Sequence, residues 1–243
     1  MITVSLVLHD RFYYLPNIIK ELISSREVTE VIVRFNVREV PLLPFRLHPK
    51  IVLIQNLDSV GFGQNHNRNF AARFRSNPVF CIMNPDVMFD RSVFKRLLAT
   101  MKEYNLGLVS PAVTDHKVKS YSVQRPDLTF VEFCLQKVFG TLKSTQSAMA
   151  LTRTGEVQLG GLIAGTFLLC ESSVFEDVAG FDESFFLYYE DFDLCRRLLR
   201  ADIKIGVDYG CSILHFAGRT SHRNVRHLFI HVRSLVRYFF VTR

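Results

Sequence analysis

From Ile2 to Ser110 the chain alternates between short β-branched apolar runs and stretches of helical periodicity, and that alternation leaves few folds open. Ile2–Leu8 is apolar throughout and short, as suits a strand covered on both faces. Pro16 suits a first helical turn. Leu15, Ile18, Ile19, Leu22 and Ile23 then fall on one face of a helix running to about Ser25. Glu30–Phe35 and Ile51–Gln55 read as two further strands, separated by a loop that Pro41, Pro44 and Pro49 punctuate. A helix from the Gly61–Asn67 region to about Arg75 leads to a fourth strand, Val79–Met83. A helix at Ser92–Tyr104 and a strand at Leu106–Ser110 follow. This order predicts an α/β fold built on an open, mostly parallel sheet flanked by helices. Ligands of such sheets bind outside the carboxyl ends of the strands.

Beyond Ser110 the signal thins. From about Ala112 to Gln158 basic, polar and aromatic residues mix without a clear period. Gly160-Gly161 precedes an expected strand at Leu162–Cys170, and a helix with Ser172 as its N-cap follows. Glu190–Arg200 reads as a helix, Ile203–Val207 as a strand and Cys211–His215 as a short extended piece. With no repeat and no low-complexity linker, residues 1–221 are expected to form one domain. Residues 222–243 follow as a basic amphipathic helix. At 48% hydrophobic, the 243 residues can bury a sizeable core. The five cysteines are odd in number and lack a CxxC pair, so they read as reduced thiols. No stretch reaches the ~20 apolar residues that span a bilayer. Met1–Ser5 has no basic lead into a secretory signal, and the expected compartment is the cytoplasm.

Chemistry concentrates in Gly180–Arg197. Five carboxylates, Asp182, Glu183, Glu190, Asp191 and Asp193, stand among Phe185, Phe186, Tyr188 and Tyr189, and the segment ends in Arg196 and Arg197. Acids at a helix start are favoured by the helix dipole, worth under ~1 kcal/mol each. That accounts for one or two of them and leaves the aromatic crowd unexplained. Apolar neighbours desolvate a carboxylate and raise its basicity, which is what a general base needs. Residues two apart on a helix do not share a face, so Asp191 and Asp193 are not expected to point into one cleft.

Two other places fit the same chemistry. Asn84-Pro85-Asp86 ends the fourth strand, and all three residue types form turns. A carboxylate just past a strand end also suits Mg²⁺ or Mn²⁺, which neutralises a departing diphosphate. His215 follows an apolar run. A lone histidine is as readily a core residue as a metal or diphosphate contact. Gly61 and Gly63 open an expected helix, where backbone can approach a phosphate closely. The run is not a dinucleotide fingerprint, because His66 occupies the third glycine's place.

Formal net charge is +7, and six arginines between Arg219 and Arg243, with no acid among them, account for all but one unit of it. The tail from Asn224 to Val241 carries Val225, Leu228, Phe229, Val232, Leu235, Val236, Phe239 and Phe240 at helical spacing. Arg226, Arg233 and Arg237 lie off that stripe. Packing on its own domain is the plain reading. A peripheral site on an anionic membrane is the functional one. Nucleic acid is not an expected partner, because the tail has no reader motif and one side is too apolar.

Taken together, Val60-Gly61-Phe62-Gly63 with Asn67-Arg68, Met83-Asn84-Pro85-Asp86-Val87, Gly180–Arg197 and His215–Ser221 resemble a family 2 glycosyltransferase of the bacterial rhamnosyltransferase-like branch. The resemblance runs from Ile2 to about Ser221. It implies a GT-A fold, a nucleoside-diphosphate sugar donor, a divalent metal and inversion at the anomeric carbon in one displacement. By position, Asp86 matches the metal aspartate, and Asn84 stands where other branches have a first aspartate. Asp191 matches the catalytic base, and Glu190 would orient the acceptor or the base. Arg197 matches the arginine that closes the motif, and His215 the late histidine at metal or diphosphate. Asn36, Gly61, Gly63, Asn67 and Arg68 fall on the donor side. The family usually has an acid after the second strand, where this chain has Arg34-Phe35-Asn36.

The resemblance thus implies transfer of a sugar, with rhamnose as the first candidate, to a glycan acceptor. That acceptor would be lipid-linked and belong to a bacterial surface polysaccharide, with Ala112–Gln158 shaping its site. Two rivals stand beside it. A nucleotidyltransferase should carry a Gly-rich basic loop after the first strand, where this chain has His9-Asp10-Arg11-Phe12. A non-catalytic subunit of the same fold would have no need of Asp86 and Asp191.

Overall fold

Seven consecutive buried residues make β1 (Ile2–Leu8) an interior strand of the sheet, covered on both faces as its uninterrupted apolar run requires. The computed structural model describes residues 1–9, 12–37, 47–73, 76–115, 124–139, 152–216 and 225–241. β1 pairs in parallel with β2 (Val28–Phe35) and β4 (Val79–Met83), and β3 (Ile51–Gln55) lies parallel outside β2. Helix α1 (Leu15–Ser24) turns Leu15, Ile18, Ile19 and Leu22 onto this half, with Pro16 in its first turn. Each such fully buried side chain contributes ~1.5–3 kcal/mol. Helix α2 (Phe62–Ala71) packs against β1 and β2.

The chain then runs through β5 (Val87–Met88), α3 (Ser92–Tyr104), β6 (Leu108–Asp115), β7 (Gln124–Arg125), α4 (Phe130–Phe139), β8 (Thr152–Thr154) and β9 (Val157–Leu159). Next come β10 (Leu162–Ile163), β11 (Phe167–Glu171), α5 (Ser172–Asp177), α6 (Glu190–Arg200), β12 (Ile205–His215) and α7 (Val225–Phe240). The main sheet has the order β3-β2-β1-β4-β11-β6-β12-β9-β8, with β5 paired to β12. Its first four strands are parallel. β11 runs antiparallel to both neighbours, so the second half of the sheet is mixed. All five cysteines are free. Among the described residues no helix is long and apolar enough to cross a membrane.

Three expectations are corrected, each for a physical reason. The run Leu162–Cys170 is two strands rather than one, because Ala164-Gly165-Thr166 leaves the ladder and bonds elsewhere. The two pieces expected at Ile203–Val207 and Cys211–His215 are one strand, β12, with a register shift between Asp208 and Ser212. The Asp208 carboxylate accepts the Gly210 N–H inside that shift, which stabilises the irregularity. Ser172 is not an N-cap. It is the first residue of α5, and its hydroxyl donates to the Asn77 carbonyl. The loop expected at Pro41 and Pro44, the helix end at Arg75 and the boundary at residue 221 lie outside the described residues.

Candidate active site

The end of β4 and the start of α6 are joined by the three residues between β10 and β11. The Asn84 N–H donates to the Thr166 carbonyl at 2.9 Å. The Gly165 N–H donates to Asp191 Oδ2 at 2.8 Å. A side chain at Gly165 would put its Cβ 3.2 Å from Asp191 Cβ, so glycine is what lets the backbone reach the carboxylate. The other Asp191 oxygen accepts the Phe192 N–H at 2.9 Å.

Asp86 and His215 meet because of strand register. β5 pairs with the last residues of β12, His215 against Val87 and Leu214 against Met88. The Phe216 N–H then donates to the Asp86 carbonyl at 2.9 Å. Across this ladder His215 Nε2 lies 3.1 Å from Asp86 Oδ1, although 129 residues separate them. Phe216 stacks on Tyr14 at 5.0 Å, closing the corner beside β1.

Helix α6 begins from two left-handed residues, Tyr188 at φ 73° and Tyr189 at φ 67°. Neither is glycine, and each such conformation costs on the order of 1–3 kcal/mol unless the surroundings impose it. Helix α7 supplies those surroundings. Tyr188 Oη pairs with His227 Nδ1 at 3.2 Å, and the Tyr189 ring packs on His231 and Tyr238. Ser234 Oγ donates to the Leu187 carbonyl at 2.8 Å.

The twist sets Glu190 and Asp191 side by side in a desolvated place. Burial first, then the Asp191 charge, pushes the Glu190 carboxyl well above its usual range, and Glu190 Oε2 has no hydrogen-bond partner. Burial also raises Asp191, opposed by the Gly165 and Phe192 N–H groups and by the charge of Arg125. Asp193 points elsewhere, as its spacing from Asp191 requires: it accepts Arg197 Nε at 2.8 Å. Arg197 also donates to the carbonyls of Val178 at 2.6 Å and Gly180 at 2.7 Å. Two of its three bonds tie the motif to itself, and the third reaches Val178 just before it.

On the β2–α2 side the glycines have a packing reason. A Cβ on Gly61 would lie 2.8 Å from the Phe186 carbonyl oxygen, and one on Gly63 2.6 Å from Phe181 Cβ. Both are glycine because the Gly180–Tyr189 segment lies directly against α2. Asn67 latches the two, donating to the Phe181 carbonyl at 2.9 Å and accepting the Phe181 N–H at 2.9 Å. Asn36 is buried, and its amide pairs with both the N–H and the carbonyl of Val60 and accepts from Asn56. Arg34, the basic residue where an acid was expected, is also buried and donates to Asn69 and Asn56. Arg68 is exposed near it. His66 is a core residue. Its Nδ1 pairs with Ser5 Oγ at 2.7 Å, and burial lowers its pKa to about 3, so the ring is neutral.

Among the described residues no group of three or more His, Cys, Asp and Glu is placed to hold a metal ion. The Asp86–His215 pair still suits one. A hard divalent cation is commonly held by one or two protein ligands together with substrate phosphates and water. The structure thus links the end of β4 at Asn84 to Asp191 through one short loop, and Asp86 to His215 through one strand pairing. Asn36, Asn67 and Arg197 it turns inward. Sequence reasoning missed Gly165, the left-handed tyrosine pair and Arg125. Only Gly165 left a trace, a glycine inside an apolar run.

No protein-family profile matches the chain. Among curated proteins it is similar to rhamnosyltransferase WbbL of Escherichia coli K12, with 24% identity over 257 aligned positions, 98% of this chain and 92% of that protein. It is also similar to the N-acetylglucosaminyl-diphospho-decaprenol L-rhamnosyltransferase of Mycobacterium tuberculosis, at 25% over 209 positions, 80% of this chain and 68% of that one. Among solved structures, GalNAc-T7 with UDP, GalNAc and Mn²⁺ matches with a TM-score of 0.68 and 12% identity, over 89% of this chain and 43% of that one. At that identity the likeness shows the fold, which is the GT-A glycosyltransferase fold.

Proposed function

We propose that this chain is a rhamnosyltransferase-like glycosyltransferase that moves a sugar, rhamnose first among candidates, from a nucleoside-diphosphate donor to a lipid-linked glycan in bacterial surface polysaccharide synthesis. The observation that carries this reading is the link between the end of β4 and the start of α6. Gly165 and Thr166 are adjacent, and they bond Asp191 and Asn84 respectively. The similarity to two rhamnosyltransferases supports the sugar and the acceptor class. The nucleotidyltransferase and non-catalytic readings gain nothing from either.

In the proposed mechanism the acceptor hydroxyl sits at Asp191. Its oxygen attacks the anomeric carbon from the face opposite the diphosphate, and Asp191 takes its proton. The bond to the diphosphate breaks, and the electron pair leaves with it, so the anomeric centre inverts. Burial suits Asp191 to this role, because a raised pKa makes a stronger base. Glu190 orients the acceptor or the base. Asp86 and His215 would hold Mg²⁺ or Mn²⁺, which supplies positive charge to the departing diphosphate. Asn84, Gly61, Gly63 and Arg68 border the donor. Asn36, Asn67 and Arg197 act on it indirectly, by fixing the loop and the motif around it.

The basic helix is proposed to rest on an anionic membrane where a lipid-linked acceptor is found. Along α7 Val225, Leu228, Phe229, Val232, Val236 and Phe240 are exposed. Such a stripe inserts at headgroup depth while arginines meet the phosphates. In this reading 1–221 is the catalytic domain and 222–243 its peripheral anchor, on the cytoplasmic face of the membrane.

The test is a thermal-shift panel of UDP, dTDP, GDP and CMP, each with and without Mn²⁺. Metal-dependent stabilisation by one nucleoside diphosphate is expected, and it names the donor class. No shift with any of them contradicts the proposal.

A further inference from the structure

Arg125 is near enough for its charge to reach Asp191, and among the described residues no carboxylate pairs with it. It lies in β7 opposite Leu162 of β10. Directly opposed residues on paired strands turn their side chains to the same face. Leu162 packs in one core with Leu194 of α6 and Tyr238 of α7, so Arg125 is turned toward that side. Its flanks are fixed. Gln124 donates to the carbonyls of Gln158 and Gly160. Asp127 takes two bonds from Arg196 of α6, at 2.9 and 2.6 Å, and one from Tyr238 Oη at 2.9 Å. Three residues beyond Leu162, Gly165 holds Asp191. Arg125 is exposed and has no carboxylate within salt-bridge distance among the described residues, yet its charge is felt at both Asp191 and Tyr189.

We propose that Arg125 binds the phosphate attached to the acceptor sugar, and so selects glycans carried on a diphosphate. This rests on the function proposed above. The argument is one of reach. One pyranose ring separates an acceptor hydroxyl from its anomeric oxygen by less than the length of an arginine side chain. With the hydroxyl at Asp191, the phosphate on the anomeric oxygen falls to a cation beside the base. A guanidinium meets phosphate oxygens in a planar, two-bond geometry that suits this task. The next element is apolar, as a lipid following that phosphate requires. Helix α4 exposes Phe130, Val131 and Leu135, and Phe130 packs on Phe240 of α7 at 4.8 Å. An exposed arginine that served only solubility would have no reason to be clamped on both sides next to the base.

The experiment compares two acceptors with the donor that the nucleotide panel selects. One is N-acetylglucosamine diphosphate carrying a short alkyl chain. The other is the same alkyl glycoside without the diphosphate. The wild-type chain should prefer the first in kcat/KM. In Arg125→Gln that preference should fall by ~10–100-fold, mainly through KM for the diphosphate acceptor, and Arg125→Lys should restore part of it. Matching thermal melts exclude misfolding. Equal losses on both acceptors would mean that Arg125 acts on the base instead, and would overturn the proposal. So would a wild type without preference, or one that uses neither acceptor while still binding a nucleoside diphosphate. A wild type that binds no nucleotide would sink the glycosyltransferase reading itself.

Discussion

The backbone N–H of Gly165 donates to Asp191 Oδ2 at 2.8 Å, so the orientation of the proposed base is set by a loop 26 residues earlier in the chain. A Cβ at Gly165 would crowd Asp191 Cβ at 3.2 Å. Gly165→Ala should therefore tilt the carboxylate while leaving the sheet intact. The expected result is a fall of ~10–100-fold in kcat with donor KM and melting temperature little changed. Steady-state kinetics beside a thermal melt checks it.

Asp86 and His215 are held 3.1 Å apart by the β5–β12 pairing rather than by sequence proximity. Asp86→Ala should abolish the Mn²⁺-dependent part of nucleotide stabilisation. His215→Ala should raise the metal concentration needed for half of that stabilisation by ~10–100-fold. Titrating Mn²⁺ in a thermal-shift assay separates the two. Metal response unchanged in both variants would remove the metal from this site.

Glu190 gives a pH signature with a definite sign. Its folded carboxyl holds a proton more readily than in the unfolded chain, first because of burial. The folded state therefore binds more protons, and stability present at low pH is lost as pH rises through the raised value. Glu190→Gln should raise the melting temperature at neutral pH, and the gain should vanish as pH falls toward the ordinary carboxylate range. Activity should drop in the same variant. The acidic limb of the wild-type rate profile should lie above that ordinary range, because Asp191 is also shifted up by burial. A melting temperature lower in the variant at all pH values would contradict this account.

Asp127 joins α6 to α7 through Arg196 and Tyr238, and the Arg196 guanidinium lies 3.8 Å over the Tyr238 ring. Arg196 and Asp127 side chains are only 9% and 13% exposed. Asp127→Ala would leave a nearly buried cation without its carboxylate, which typically costs about 3–5 kcal/mol. Chemical denaturation should show that loss. Arg200→Ala, an exposed change on the same helix, should show almost none.

The parallel half of the fold was legible in the sequence because its signals are local. Ile2–Leu8 and Val79–Met83 are unbroken apolar runs, and α1 has a clean apolar stripe. The acidic starts at Asp86 and Asp191 were legible for the same reason. What joins them was not. The Gly165 bond, the His215–Asp86 contact across 129 residues and the clamp on Arg125 depend on register between distant strands, which no local period encodes. The glycines at 61 and 63 carry a second constraint that no local pattern shows. They look like a phosphate loop, yet the pressure against a side chain comes from Phe181, Phe185 and Phe186.

The central claim is that Asp191 removes the acceptor proton at a donor site that does not need it. Asp191→Asn keeps an oxygen for the Gly165 N–H and cannot accept the proton. Measuring sugar transfer and metal-dependent nucleotide binding in the same preparation tests the claim directly. The account predicts that transfer falls by ~10²–10⁴ or more while nucleotide binding is unchanged. Retained transfer, or transfer and nucleotide binding lost together, would contradict it.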